Sequence, residues 1–591
     1  MLKNVIIVLI ITGTWICSFS QEDKLLTFYE KSGYKETPRY EETVSFCKYL
    51  AGISDKVHYT GFGISPQGRE LPLLIVDKDH NFEPVKVRKS GNAVVLVQAC
   101  IHAGECEGKD AGLLLIRDMI KQNNADAFPD NVTILFIPVF NVDGHERFGP
   151  FNRINQNGPE EMGWRVTAQN LNLNRDFLKA DAPEMQCWLQ LFNKWMPDFI
   201  IDCHTTDGAD YQYAITYGME IFGNMDSELT RWQKDIFLKE LEAEMNKADY
   251  PIIHYVDFRN WHDPRSGLMA GVSPPILSTG YTALRNRPGL LIETHMLKDY
   301  RTRVSATLQM LKSSLVILDK EYKNLKELEN KADAFCSSPL FREAEFPIDY
   351  ETSMKDSIMI NFMGVDYSAE KSELTGGTWF HYSGIKKDYS VPYFDKMIPA
   401  HSVNLPEAYI IPPEWVNVIE RLRFHGIGMS ELKEGKKIKV TTTLFSNIKW
   451  QERPYEGRHI VKFDIDENEK ELWFPAGSVI IDMNQNTARI IASMLEPLSD
   501  YSLVHWGFFN AVFEQKEYSE TYVMEGIARK MMEKDSALKK EFEEKKATDK
   551  NFASNQWDIL NWFYNKSDYR DVKMNVYPVG KITDRQWNSE K

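Results

Sequence analysis

The stretch Ala93-Val-Val-Leu-Val-Gln98 runs directly into Cys100-Ile-His-Ala-Gly-Glu105 and then into a helical pattern over 107–121. An apolar run of this length without polar alternation reads as a strand buried on both faces, and the helix behind it makes a strand–helix unit. The same texture recurs on either side. Apolar runs stand at Leu71-Pro-Leu-Leu-Ile-Val76, Val132-Thr-Ile-Leu-Phe-Ile-Pro138, Phe199-Ile-Ile-Asp202 and Leu290-Leu-Ile-Glu293, and helical patterns at 183–196, 226–247 and 300–330. Buried strands alternating with helices predict an α/β fold from about 55 to 325, with a mixed, mostly parallel central sheet flanked by helices.

The charged run Asp319–Lys331 reads as a solvated helix end that marks a boundary. Beyond 340, short strand-like runs such as Lys437-Ile-Lys-Val-Thr-Thr-Thr443 and His459-Ile-Val-Lys-Phe463 predict a β-rich region over 340–480. Helical patterns at 485–496, 518–533 and 536–547 make 481–591 a mainly helical region. No internal repeat or low-complexity linker is visible.

Of 591 residues, 43% are hydrophobic and 26% charged, which excludes disordered, collagen-like and membrane-dominated classes. Asp and Glu number 85 against 70 Lys and Arg, a net charge of -15, and such a surface repels nucleic acid. Seven Cys are too few for a disulfide scaffold of this length.

Residues 1–20 read as a signal peptide. Lys3 precedes the apolar run Val5–Ile11, and Ser18-Phe-Ser20 supplies small residues for cleavage after Ser20. The run is shorter than the roughly 20 residues that span a bilayer, so no membrane span is expected after cleavage. Cys17 follows Ile16, where a lipoprotein signal needs a small residue. The expected location is therefore outside the cytoplasm, periplasmic or secreted.

The chemistry-bearing residues gather at strand ends, where open parallel sheets place their sites. His102 and Glu105 lie three apart at a strand-to-helix junction, and imidazole nitrogen and carboxylate oxygen both suit Zn²⁺. His204 follows the run from Phe199, and Glu293 closes the run from Leu290. Arg165 and Arg175 flank the Asn-rich stretch Gln169-Asn-Leu-Asn-Leu-Asn174, and guanidinium forks suit carboxylates and developing oxyanions.

Taken in order, these motifs resemble the zinc carboxypeptidases of the M14 family. The sequence has His102-x-x-Glu105, Asn141-Val-Asp-Gly-His-Glu146, Arg165 nine residues before Asn174-Arg175, then His204 and Glu293. Gly63-Ile-Ser-Pro-Gln-Gly-Arg69 is also similar to the family pattern. The resemblance covers roughly 40–320 and is similar to an exported bacterial branch. It implies a zinc peptidase domain over 21–330.

The resemblance also implies one Zn²⁺ per chain, held by His102, Glu105 and His204. Glu293 is then the general base and acid, and Arg165 stabilises the oxyanion. Asn174 and Arg175 bind the free C-terminal carboxylate of a peptide or peptide-like substrate. Tyr281 is the nearest candidate for a substrate-capping tyrosine ahead of Glu293. Asn172 stands where the family has an Asp that orients a zinc histidine; its amide oxygen can still accept from His102, with less charge. Alternative functions are a zinc amidase or deacylase on the same scaffold, acting on a non-peptide or cell-wall amide, and a non-catalytic binding protein.

Overall fold

The computed structural model describes residues 24–121 and 128–585; the expected signal segment lies outside the described residues. Two compact units share the chain. The first takes the described residues up to Glu407, together with Val416–Met429 and Ile481–Ser502. The second takes Ala408–Trp415, Ser430–Ile480 and Leu503 onward.

In the first unit the strands are β1 (Val57–Ile64), β2 (Glu70–Val76), β3 (Ala93–Gln98), β4 (Val132–Ile137), β5 (Phe199–Thr206), β6 (Ile215–Gly218), β7 (Leu268–Met269) and β8 (Gly289–His295). Seven of them form one sheet in the order β1-β2-β4-β3-β5-β8-β6. The central four, β4, β3, β5 and β8, run parallel. β1, β2 and β6 add antiparallel edges, giving the mixed, mostly parallel α/β sheet expected.

Every residue of β3, β4 and β5 is buried, which is why these strands read as unbroken apolar runs. β5 and β8 extend beyond their apolar runs. They stay paired through Thr206 and His295, so His204 and Glu293 lie within the strands rather than after them.

The predicted helices appear at Glu107–Lys121, Pro183–Trp195 and Ser227–Lys247, the last with a widened turn at Gln233–Phe237. The next is one 37-residue helix, Tyr300–Cys336. Its charged C-terminal half is not only a solvated face: Leu325, Glu329 and Ala332 are buried. Glu329 and Asp333 hold the buried Arg287 there, so a charge run hides an ion-paired inner stripe.

Within the β-rich region, the first unit carries a long hairpin, Ile358–Lys371 with Thr378–Phe394, whose second strand pairs in parallel with β7. Tyr211, Tyr213, Phe258, Phe362 and Tyr389 form a buried aromatic cluster beneath it. The second unit builds on the hairpin Lys436–Trp450 with Val461–Phe474, which Gly580–Ile582 and then Ala408–Ile411 extend. Its C-terminal helices bury Met524, Ala528, Leu560, Phe563 and Tyr564 against one another. Among the described residues no helix is long and apolar enough to cross a membrane.

Candidate active site and metal centre

Beyond β3 the chain turns sharply. Cys100 takes a left-handed φ of 56°, a conformation non-glycine residues adopt at some cost. The turn is pinned from the β4 side, where Phe140 N–H donates to Ala99 O and Asn141 N–H to Cys100 O. Glu105 N–H then bonds back to His102 O at 3.0 Å, closing the tight turn that brings both side chains to one face.

β5 delivers His204 to the same point. His102 Nδ1 lies 3.1 Å from Glu105 Oε1, His204 Nδ1 lies 3.0 Å from Glu105 Oε2, and the two Nδ1 atoms are 3.2 Å apart. Among the described residues this trio is the one His/Cys/Asp/Glu group with the closeness a metal ion needs. At Zn–N and Zn–O lengths of about 2.0–2.1 Å, tetrahedral ligands sit roughly 3.3 Å apart, so these separations fit Zn²⁺. Each histidine turns its other nitrogen to a partner, as metal-binding imidazoles do. His102 Nε2 meets Asn172 Oδ1 at 3.2 Å, and His204 Nε2 meets Asp202 Oδ2 at 3.0 Å.

Thr205 stitches together the elements that carry the trio. Its N–H donates to Glu105 Oε2 and its hydroxyl to Glu107 Oε2, while Glu107 accepts from the buried Arg303.

The electrostatics follow from burial and close charges. Burial raises the Glu105 pKa, but His102 and Arg153 outweigh it and hold the carboxyl well below its usual range. Burial pushes His102 down to about 4 against the pull of Glu105. Burial also acts to lower His204, yet Asp202 and Glu105 carry it well above the ordinary imidazole value. Glu293 rises to about 8, chiefly through burial and further through Glu105 and Asp202, with His204 and Arg165 opposing.

His102, Glu105, Arg153 and His204 line a cavity of about 760 Å³ that also holds Arg165, Asn174, Arg175 and Glu293. Arg165 Nη1 is 3.5 Å from Glu105 Oε1, and Asn174 Nδ2 is 3.5 Å from His204 Nε2. Asn174 Oδ1 and Glu293 Oε2 are buried without a hydrogen-bond partner, two polar atoms that point to a ligand. A structural ion pair from Glu293 to Arg285 or Arg287 does not form. Arg285 bonds Asn193 and His425 O, and Arg287 bonds Asp333.

Tyr281 is the exception among the expected residues. It does not line the cavity: its ring is fully buried between Trp188 and Phe192, and its hydroxyl meets His425 Nδ1 at 3.0 Å. Thr279, two residues earlier, does line it. Two helical steps rotate a side chain by about 200°, so a helix that aims Thr279 at the cavity turns Tyr281 to the core. The tyrosine on the cavity wall is Tyr255, whose hydroxyl lies 3.2 Å from Thr206 Oγ1.

Two more residues at the site were given no role in the sequence reading. Asp202 was legible in principle, because i and i+2 share one face of a strand. Arg153, with Nη2 2.8 Å from Glu105 Oε1, comes from an irregular loop that carries no periodic signal.

Comparison with known proteins accords with this geometry. Residues 43–218 match the zinc carboxypeptidase family model, Peptidase_M14. The chain is 22% identical over 478 residues to "Probable carboxypeptidase 2" of Trichophyton verrucosum (strain HKI 0517), covering 78% of this chain and 85% of that protein. It is 22% identical over 489 residues to "Carboxypeptidase 2" of Trichophyton rubrum, covering 80% and 84%. Solved structures that align with it include a metallo-carboxypeptidase from Pseudomonas aeruginosa, at 18% identity, 48% of this chain, 69% of that chain and a TM-score of 0.36. The carboxypeptidase A from Helicoverpa armigera aligns at 16% identity, 49% of this chain, 75% of that chain and a TM-score of 0.36. Over residues 43–218 the chain matches the zinc carboxypeptidase family, and together with its curated relatives this marks it as a zinc metallopeptidase.

Proposed function

We propose that this enzyme removes the C-terminal residue of peptides bearing a free terminal carboxylate, with one Zn²⁺ per chain held by His102, Glu105 and His204. The observation that carries the reading is the shared cavity, in which that trio, Glu293, Arg165 and the Asn174–Arg175 pair face one space. The curated relatives named carboxypeptidase 2 support it. Bound zinc supplies an acidified water and a Lewis acid for the scissile carbonyl. Arg175 and Asn174 present a guanidinium fork and an amide to the terminal carboxylate, and so fix the last residue in place. The Arg165 guanidinium donates to the oxygen on which negative charge develops. Glu293 accepts the proton of the attacking water and returns it to the departing amine. Its elevated pKa suits a carboxyl that must do both.

A C-terminally free peptide and its amidated twin test the reading. Turnover of the free peptide alone is expected. Equal turnover of both would move the assignment to a zinc amidase or deacylase of broader reach.

Export belongs to the same proposal and rests on Lys3, the run Val5–Ile11 and Ser18-Phe-Ser20. N-terminal sequencing of protein from fractionated cells is expected to begin at Gln21 outside the cytoplasm; an intact cytoplasmic Met1 would refute it.

A further inference from the structure

Arg153 has a built place at the site. Its loop is pinned at both ends, because Asn152 Nδ2 donates to Arg147 O at 2.6 Å and to Met162 O at 2.7 Å. The aliphatic stem then crosses Gly104, in the middle of the ligand turn. A Cβ on Gly104 would stand 2.7 Å from Gly163 O and 2.8 Å from Arg153 Cγ, so the bare glycine leaves room for both the facing backbone and the arginine stem. Gln156 aims the head group. It anchors its own amide N–H groups on Gly104 O and Gly158 O, and its Oε1 accepts from Arg153 Nε at 3.2 Å. The guanidinium ends 2.8 Å from Glu105 Oε1 with 16% of the side chain exposed, on the cavity wall.

Arg165 approaches the same Glu105 oxygen at 3.5 Å. Two guanidiniums thus share one carboxylate oxygen, and that carboxylate is assigned to the metal. With a dication bound there, Arg153 keeps a full positive charge and has no anion of its own. The cavity also has a direction. Asn174 stands at His204, on the Oε2 side of Glu105, whereas Arg153 stands on the Oε1 side. Arg165 lies within electrostatic reach of both Arg153 and Arg175.

We propose that Arg153 binds the part of the substrate N-terminal to the scissile bond and selects a carboxylate there, so that peptides acidic just before their last residue are preferred. This deepens the carboxypeptidase reading and rests on it: if Asn174 and Arg175 hold the terminal carboxylate and Arg165 the scissile carbonyl, Arg153 meets the acyl side. The net negative charge of the chain does not oppose this, since salt screens distant surface charge within about 8 Å.

The test compares two blocked peptides that end in the same residue and carry Glu or Gln immediately before it. The zinc-loaded enzyme is expected to favour Glu in kcat/KM by roughly two- to fivefold, the range of a partly exposed ion pair. Arg153→Gln, which keeps the stem and the polar contact with Glu105, is expected to abolish the preference with zinc content unchanged. Arg153→Lys is expected to keep part of it. A purely structural role would lower both substrates alike in the Gln variant and leave their ratio intact, and that result overturns the proposal. Equal rates on the two peptides with the unaltered enzyme overturn it as well. Hydrolysis of neither peptide would instead defeat the carboxypeptidase reading, and this inference with it.

Discussion

His204 and Glu293 are register partners on the adjacent parallel strands β5 and β8. Directly opposed residues in a parallel pair point to the same face, about 4.8 Å apart at the backbone. A candidate metal ligand and a candidate base are therefore set side by side by sheet hydrogen bonds, and neither depends on a loop for its position.

That placement makes Glu293→Gln a clean substitution. Shape and strand pairing are kept and the proton acceptor is lost. Turnover is expected to fall by about 10²–10⁴ with zinc content unchanged. Metal analysis alongside the kinetics decides the matter, because zinc lost with activity would make Glu293 a ligand instead.

The trio should be pH-sensitive in a definite direction. His204 is held protonated in the metal-free site because its pKa is raised, while His102 is neutral at pH 7 because its pKa is lowered. Zinc must displace the His204 proton, so affinity is expected to rise with pH across the neutral range, and binding at pH 7 to release at least about one proton. Calorimetry in two buffers of different ionisation enthalpy measures the release. Binding without it would mean that His204 is not a ligand, as would unchanged metal stoichiometry in His204→Ala.

Asn172 accepts from His102 Nε2 and also from Asn174 N–H. It therefore links the His102–Glu105 turn to the proposed carboxylate pair. Asn172→Ala is expected to weaken zinc binding by about 10–100-fold, and Asn172→Asp, with a full charge behind His102, to strengthen it. Competition with a chelator of known affinity reads both; equal affinities across the three proteins would leave Asn172 without a role at the metal.

Away from the cavity, Glu184 is fully buried and neither carboxyl oxygen has a hydrogen-bond partner. Burial lifts its pKa to about 7, and Asp143 and Asp176 add to the rise. A carboxyl whose folded pKa exceeds its unfolded value contributes its full stability below about pH 4.5 and loses it as pH rises through 7. Glu184→Gln removes that ionisation. The variant is expected to match the parent at pH 4 and to exceed it at pH 8 by about 1–3 kcal/mol in urea unfolding. An equal gap between the two proteins at both pH values would show that Glu184 does not ionise in this range.

The parallel core was legible in the sequence, though not the full length of its strands. β3, β4, β5 and β8 are apolar because helices cover both faces, and burial leaves a direct mark on composition. His102, Glu105, His204 and Glu293 were visible because short-range rules place them: a turn of three residues, or the end of an apolar run. Tertiary structure decided what depends on direction and on meetings between distant segments. Tyr281 shares its helix with Thr279, yet the packing of Phe177, Trp188 and Phe192 settles that the tyrosine faces the core. Arg153 reaches Glu105 from a loop some 50 residues later that crosses the bare backbone of Gly104. Strand and helix periods are local and write themselves into sequence; a side chain passing over a glycine on another segment is a three-dimensional coincidence and leaves no period to read.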